Sequence, residues 1–173
     1  LLGWKIMEKE YINHIHFYLS RLISRNWRYL VVGKATIILL ITTIPNYIPP
    51  GVPHLGGDNS LFLYGGWLWA ETNKTPYIHL WDVKPPAIFE TAGILSRLSG
   101  GNIQVMLLLS VITMSLLIIF SNILIGEIIC YHTSNPIAAY IGATTPLVFY
   151  FYYRFAATGL RAKHFTIFFG LLG

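Results

Sequence analysis

Apolar runs at residues 29–48, 103–131, 136–153 and 164–173 alternate with polar stretches along the chain. The run at 103–131 carries no charge before Glu127. As a helix rising about 1.5 Å per residue it reaches roughly 44 Å, beyond the roughly 30 Å hydrocarbon core of a bilayer, so it must tilt or protrude. The 29–48 run, Tyr29 to Ile48, has the length of one membrane span, and Lys34 near its start can carry its ammonium back to the headgroups. The link Tyr131–Pro136 is short, so the 136–153 run is predicted to return antiparallel as a third span. The 164–173 run is about half a span and reads as the start of a truncated fourth. The chain opens on Leu1-Leu2-Gly3-Trp4, with Met7 as a candidate start, and closes inside an apolar run. A longer protein with further helices is therefore expected.

The stretch 49–102 is too polar to span and rich in aromatics. Pro45, Pro49, Pro50, Gly51 and Pro53 end the first helix. Asn59–Asn73 sets Tyr64, Trp67 and Trp69 among Leu and Phe, the pattern of a helix lying in the headgroup zone. A turn follows at Asn73–Pro76. Pro85-Pro86 opens a second interfacial helix of about Pro86–Ser99, and Gly100-Gly101 closes it. Residues 154–163 form a second polar loop. Residues 1–28, with Lys5, Lys9, Arg21, Arg25 and Arg28, read as a basic amphipathic segment on the membrane surface.

Composition narrows the class. Some 54% of residues are hydrophobic and 11% charged, with mean hydropathy +0.57. Ordinary soluble domains are roughly a quarter charged. Disorder is excluded by the hydrophobicity, and so few charges cannot cover a soluble surface. The expected fold class is an all-α integral membrane protein. Cys130 is the one cysteine, so there is no internal disulfide framework and no multi-cysteine zinc site. Neither Gly56-Gly57 nor Gly65-Gly66 makes a nucleotide-phosphate loop, and no nucleic-acid partner is expected. Residues 1–28 hold five bases and two acids, which predicts a cytoplasmic N-terminus. Residues 49–102, with four acids and three bases, then lie outside. The 154–163 loop is also outside by this count, yet it carries Arg154, Arg161 and Lys163. Binding an anionic headgroup would account for bases there.

Two constellations could carry chemistry. Gly56-Gly57-Asp58-Asn59-Ser60 places a carboxylate just past the first span and ahead of a helix. Taken locally, it also reads as a helix N-cap. In Trp81-Asp82-Val83-Lys84-Pro85-Pro86 the prolines hold the backbone extended and restrict Lys84. A held ammonium at a membrane surface suits a phosphate, and the plainer alternative is a Lys–Asp surface pair. His14 and His16 without further ligands read as surface residues. Glu127 reads as a snorkelling or packing acid. Asn73-Lys74-Thr75 is an acceptor sequon that chance explains. Trp67, Trp69 and Trp81 read as interface anchors before sugar platforms.

The order of a span, Gly57-Asp58-Asn59-Ser60-Leu61-Phe62-Leu63-Tyr64, then Thr75-Pro76-Tyr77-Ile78-His79-Leu80-Trp81-Asp82-Val83-Lys84-Pro85-Pro86, resembles the GT-C superfamily of lipid-linked-sugar glycosyltransferases. It is most similar to glycosyltransferase family 39, the protein O-mannosyltransferases and aminoarabinose transferases. The resemblance implies a GT-C-like N-terminal part with about three full transmembrane helices, a truncated fourth, and amphipathic interfacial helices in the first outer loop. It implies an inverting hexosyl- or pentosyl-transferase working on the non-cytoplasmic face, with a polyprenyl-phosphate (dolichyl- or undecaprenyl-phosphate) sugar as donor and a protein, lipid or glycan as acceptor. Asp58 would then be the general base or help hold a divalent metal, Mg or Mn. Lys84 would contact the donor phosphate, with Asp82 beside it. Tyr64, Trp81, Arg154, Arg161 and Lys163 would contact substrate. Many relatives have a second acid where Asn59 stands, and often an acid near the fourth span, where this chain reads Gly159-Leu160-Arg161-Ala162-Lys163-His164. This stretch by itself is expected to be inactive. A non-catalytic truncated paralogue, or a membrane lipid-binding or transport protein, is the alternative; transporters place ionisable groups near the midplane, whereas charges here gather at loops.

Overall fold

A computed structural model describes the backbone of residues 2–47, 57–74, 86–148 and 159–173, and the side chains of 17–42, 59–74, 86–148 and 159–173. Among these residues every regular element is helical. The elements are α1 (Leu2–Tyr47), α2 (Gly57–Thr72), α3 (Pro86–Leu98), α4 (Ile103–Thr133), α5 (Pro136–Thr144) with a 3-10 turn at Pro146–Val148, and α6 (Ala162–Leu172). The all-α expectation therefore agrees with the described fold.

α1 carries the basic segment into the first apolar run through a kink at Asn26, whose backbone leaves the helical region (φ −125°, ψ 16°). Asn competes for backbone hydrogen bonds and tolerates such a break. Directly after it, Trp27 is buried on α4. A Cβ at Gly126 would fall on the Trp27 ring and lie 3.1 Å from the Ala143 methyl, so α1, α4 and α5 pack closely there. Arg28 donates from Nε and Nη2 to the two carboxylate oxygens of Glu127, the second bond at 3.0 Å. Glu127 thus pairs with a base 99 residues earlier. At 60% and 39% exposure such a pair contributes at most about 1 kcal/mol; its value is in showing which helix ends face each other. Further along, Ala35 and Leu39 of α1 join Ile118 and Met114 of α4 in one cluster, an antiparallel register.

Among the described residues α4 is the helix long and apolar enough to cross a bilayer alone. It turns Leu108, Ile112, Leu116 and Phe120 outward at four-residue spacing, a ridge suited to hydrocarbon. The run expected as one span over 136–153 leaves the α-helix at Thr144 and passes through the 3-10 turn to Val148. Pro146 has no N–H to continue the helical ladder. Residues Pro136–Val148 and Ala162–Leu172 are apolar but shorter than a span.

The corners follow from local chemistry. Gly100 and Gly101 adopt φ of 58° and 75°, and the Gly101 N–H reaches the Ser96 carbonyl at 3.2 Å. This left-handed exit ends α3. Asn102 then caps α4, its side-chain oxygen accepting from the Gln104 and Val105 N–H groups at 3.0 and 3.2 Å. Asn135 caps α5 in the same way.

α2 and α3 pack face to face through small residues. A Cβ at Gly66 would fall on the Ala92 methyl and come within 2.6 Å of the Gly93 nitrogen. The second glycine of Gly65-Gly66 is therefore a helix-crossing residue. Phe62 meets Phe89 edge-on, centroids 5.7 Å apart at 77°. The Ser96 hydroxyl donates to Glu71 at 3.1 Å. These contacts rise together in both helices, 62 with 89, 66 with 92, 71 with 96. The pair is therefore parallel, and both helices start at the same end. Met106, Leu107 and Phe165 close the core beneath them.

Candidate functional site

The end of the α2–α3 pair where both helices begin is also where α6 begins. The Leu160 N–H donates to the Asn59 side-chain oxygen at 3.0 Å, joining residues 101 apart in sequence. Asn59 is 1% exposed and Leu160 0%. Gly159 just ahead has φ +91°, and a Cβ there would lie 2.5 and 2.7 Å from the Asn59 amide atoms and 2.7 Å from the Ser110 hydroxyl. Only glycine accepts both that φ and that approach. The backbone of the second loop is thus pressed between the first turn of α2 and the N-terminal third of α4, held by a buried polar side chain.

Asp58 immediately precedes Asn59 in the first turn of α2. Arg161 immediately follows Leu160 and is the N-cap of α6, in extended conformation (φ −138°, ψ 123°) and without a side-chain cap hydrogen bond. The His164 N–H returns to the Arg161 carbonyl at 3.2 Å. Lys163 is exposed, and His164 is buried. Because α2 and α3 are parallel, the start of α3 at Pro86, two residues after Lys84, lies at this same end. Helix N-termini carry partial positive charge and free N–H groups, and their convergence favours an anion.

Trp81, Asp82, Lys84 and Arg154 fall outside the described residues, as does the side chain of Asp58. Tyr64 is elsewhere on α2: it is 52% exposed and stacks on Trp67, centroids 5.9 Å apart at 28°. The metal expected at Asp58 falls on a side chain outside the described residues. The oxygen of the neighbouring Asn59 is turned to Leu160, and among the described residues no three His, Cys, Asp or Glu side chains gather.

Sequence reasoning named Asn59 at the start of the aromatic helix, within an N-cap constellation, and as a departure from an acidic pair. Its clasp on Leu160, and the parts played by Ser110 and Gly159, went unseen. A lone glycine in a polar loop signals a positive φ, but nothing local names the partner it approaches.

Comparison with known proteins places this helical chain within a family of the GT-C type of membrane glycosyltransferases. Residues 73–173, more than half of the chain, match the model of the DolP-mannose mannosyltransferase family, and the chain belongs to that family. The match begins beyond Asp58 and Tyr64 and takes in Trp81, Asp82, Lys84, Arg154, Arg161 and Lys163. A dolichol phosphate-mannose mannosyltransferase of Haloferax volcanii is 28% identical over 137 residues, 79% of this chain. The chain spans about 30% of that relative's length. No solved structure matches it.

Proposed function

We propose that the protein containing this chain transfers mannose from a polyprenyl-phosphate donor to a hydroxyl of a protein, lipid or glycan acceptor, with inversion at the anomeric carbon. The carrying observation is the convergence of the starts of α2, α3 and α6, held by the Asn59–Leu160 bond. It supports a single site shared by Asp58, Lys84 and Arg161. In this reading the acceptor oxygen attacks C1 of mannose from the face opposite the phosphate. The C1–O bond to phosphate breaks, and its electron pair stays on the phosphate oxygen. Asp58 takes the acceptor proton, and Lys84 and Arg161 stabilise the departing polyprenyl phosphate. Asp82, Trp81 and Tyr64 line the approach, and Arg154 and Lys163 add positive charge to the second loop. Positively charged donors fixed beforehand need no reorganisation as charge develops on the leaving group.

The same reading has three spans, at 29–48, 103–131 and 136–153, with a fourth beginning at 164, an N-terminus in the cytoplasm and the site on the opposite side. The Arg28–Glu127 pair supports a common membrane face for the start of the first span and the end of the second. The test is mannose transfer by the full-length protein in lipid. Asp58→Asn is expected to lose about 10²–10⁴-fold in rate, the size of a lost general base, and Lys84→Ala to lose activity as well. Unchanged transfer in both variants removes the proposal.

A further inference from the structure

α3 buries one face and leaves another open. Ile88, Phe89, Ala92 and Leu95 belong to the core, whereas Ile94 is 59% exposed and Glu90 and Arg97 stand exposed on either side of it. Glu90, Gly93, Ile94 and Arg97 follow one another at i, i+3, i+4 and i+7, the spacing of a single helix face. With Trp69 and Ala70 of α2 they line a groove of about 270 Å³. Gly93 keeps it open: a Cβ there would stand 3.3 Å from the Trp69 ring. Among the described residues neither Glu90 nor Arg97 has an ion-pair partner. Along the helix the two are about 10 Å apart, at 1.5 Å per residue.

This face is complementary to itself. Turned end for end about a point between Gly93 and Ile94, α3 brings Glu90 onto Arg97, Arg97 onto Glu90, and Ile94 beside Gly93. A two-fold axis makes that turn between two copies of one chain. An axis perpendicular to a bilayer keeps both copies in the same orientation across it. It also reverses any helix lying in the membrane plane, which is where the sequence expects α3. We infer that this face joins two copies of the protein. α3 packs antiparallel against α3 of the second copy, and each Ile94 enters the groove beside Trp69 and Gly93 of the other. Glu90 of each copy meets Arg97 of the other, so the contact carries an ion pair at both ends. A glycine at the crossing lets the two backbones approach, and the paired charges set the register. Hydrocarbon in the same groove would desolvate both charges without pairing either. The inference is independent of the transfer reaction.

The experiment uses the full-length protein, labelled with donor and acceptor dyes and reconstituted in vesicles. Energy transfer across a series of protein-to-lipid ratios gives the dissociation constant of the dimer. Glu90→Arg and Arg97→Glu each set like charges face to face at both ends, and each is expected to weaken the dimer about tenfold or more. Both substitutions in one chain rebuild the two pairs with signs exchanged, and should return the constant to within about twofold of the unaltered protein. A misfolded variant cannot imitate that rescue. Ile94→Cys, in a background without other cysteines, is the second measurement: a short thiol crosslinker should join two copies, because the two positions flank the axis. Three results overturn the inference: unaltered protein that stays monomeric at every ratio, a double variant as weak as the single ones, or Ile94→Cys protein that the crosslinker leaves as monomers. A monomer whose Ile94→Cys thiol is also shielded from reagent would show that other parts of the same protein cover the face, which overturns it too.

Discussion

Removing the Asn59 side chain tests the junction directly. In Asn59→Ala the Leu160 N–H loses its acceptor in a place where neither residue is open to water. A buried donor left unpaired costs about 1–3 kcal/mol. Gly159→Ala attacks the same junction from the other side. It strains a positive φ by about 1–2 kcal/mol and drives a methyl into the Asn59 amide and the Ser110 hydroxyl, at 2.5–2.7 Å. With Asn59 already shortened, two of those three contacts are gone, and Gly159→Ala should cost less than it does alone. The two substitutions should therefore couple by about 0.5–3 kcal/mol. Reversible unfolding of the full-length protein in mixed micelles, run as a double-mutant cycle, measures this. Costs that add within about 0.5 kcal/mol would mean that the two residues share no junction, and the argument for a common start of α2 and α6 would fail. Transfer activity gives an independent reading: Arg161 sits one residue from the broken bond, so Asn59→Ala should lower kcat more than it raises KM.

Two further outcomes follow from the packing. Gly66→Val should cost about 1–3 kcal/mol or more through overpacking, because its Cβ has no room against Ala92 and Gly93; the same unfolding assay reads it, and a neutral result would mean that α2 and α3 do not cross there. Asn122 in α4 is fully buried, and among the described residues neither amide atom has a hydrogen-bond partner, so Asn122→Leu should stabilise the protein by about 1 kcal/mol, removing an unpaid desolvation; a clear loss of stability would mean that the amide is bonded.

Much of the secondary structure could be read locally. Pro86 at a helix start, the left-handed Gly100-Gly101 exit and the Asn102 and Asn135 caps are decisions made within four residues of chain. The long apolar helix after Asn102 needs only composition. Pro146 carries the local signal for leaving the α-helix after Thr144, which reading 136–153 by hydropathy alone does not use. Asp58 and the Lys84 element were legible as a pattern, through the order of span, acid, aromatic helix and Lys-Pro-Pro.

What only the tertiary structure decided is which of these elements meet. Helical periodicity marks a face to be buried but does not name the partner face, and a parallel α2–α3 pair has the same pattern as an antiparallel one. The choice rests on Gly66 admitting Ala92, Phe62 meeting Phe89, and Glu71 accepting from Ser96. Arg28 finding Glu127 and Asn59 finding Leu160 span 99 and 101 residues. Such contacts depend on the close packing of many side chains at once, and no window of the chain contains both partners. The amino-acid order therefore determined the helices; three-dimensional packing determined that the starts of α2, α3 and α6 come to one place.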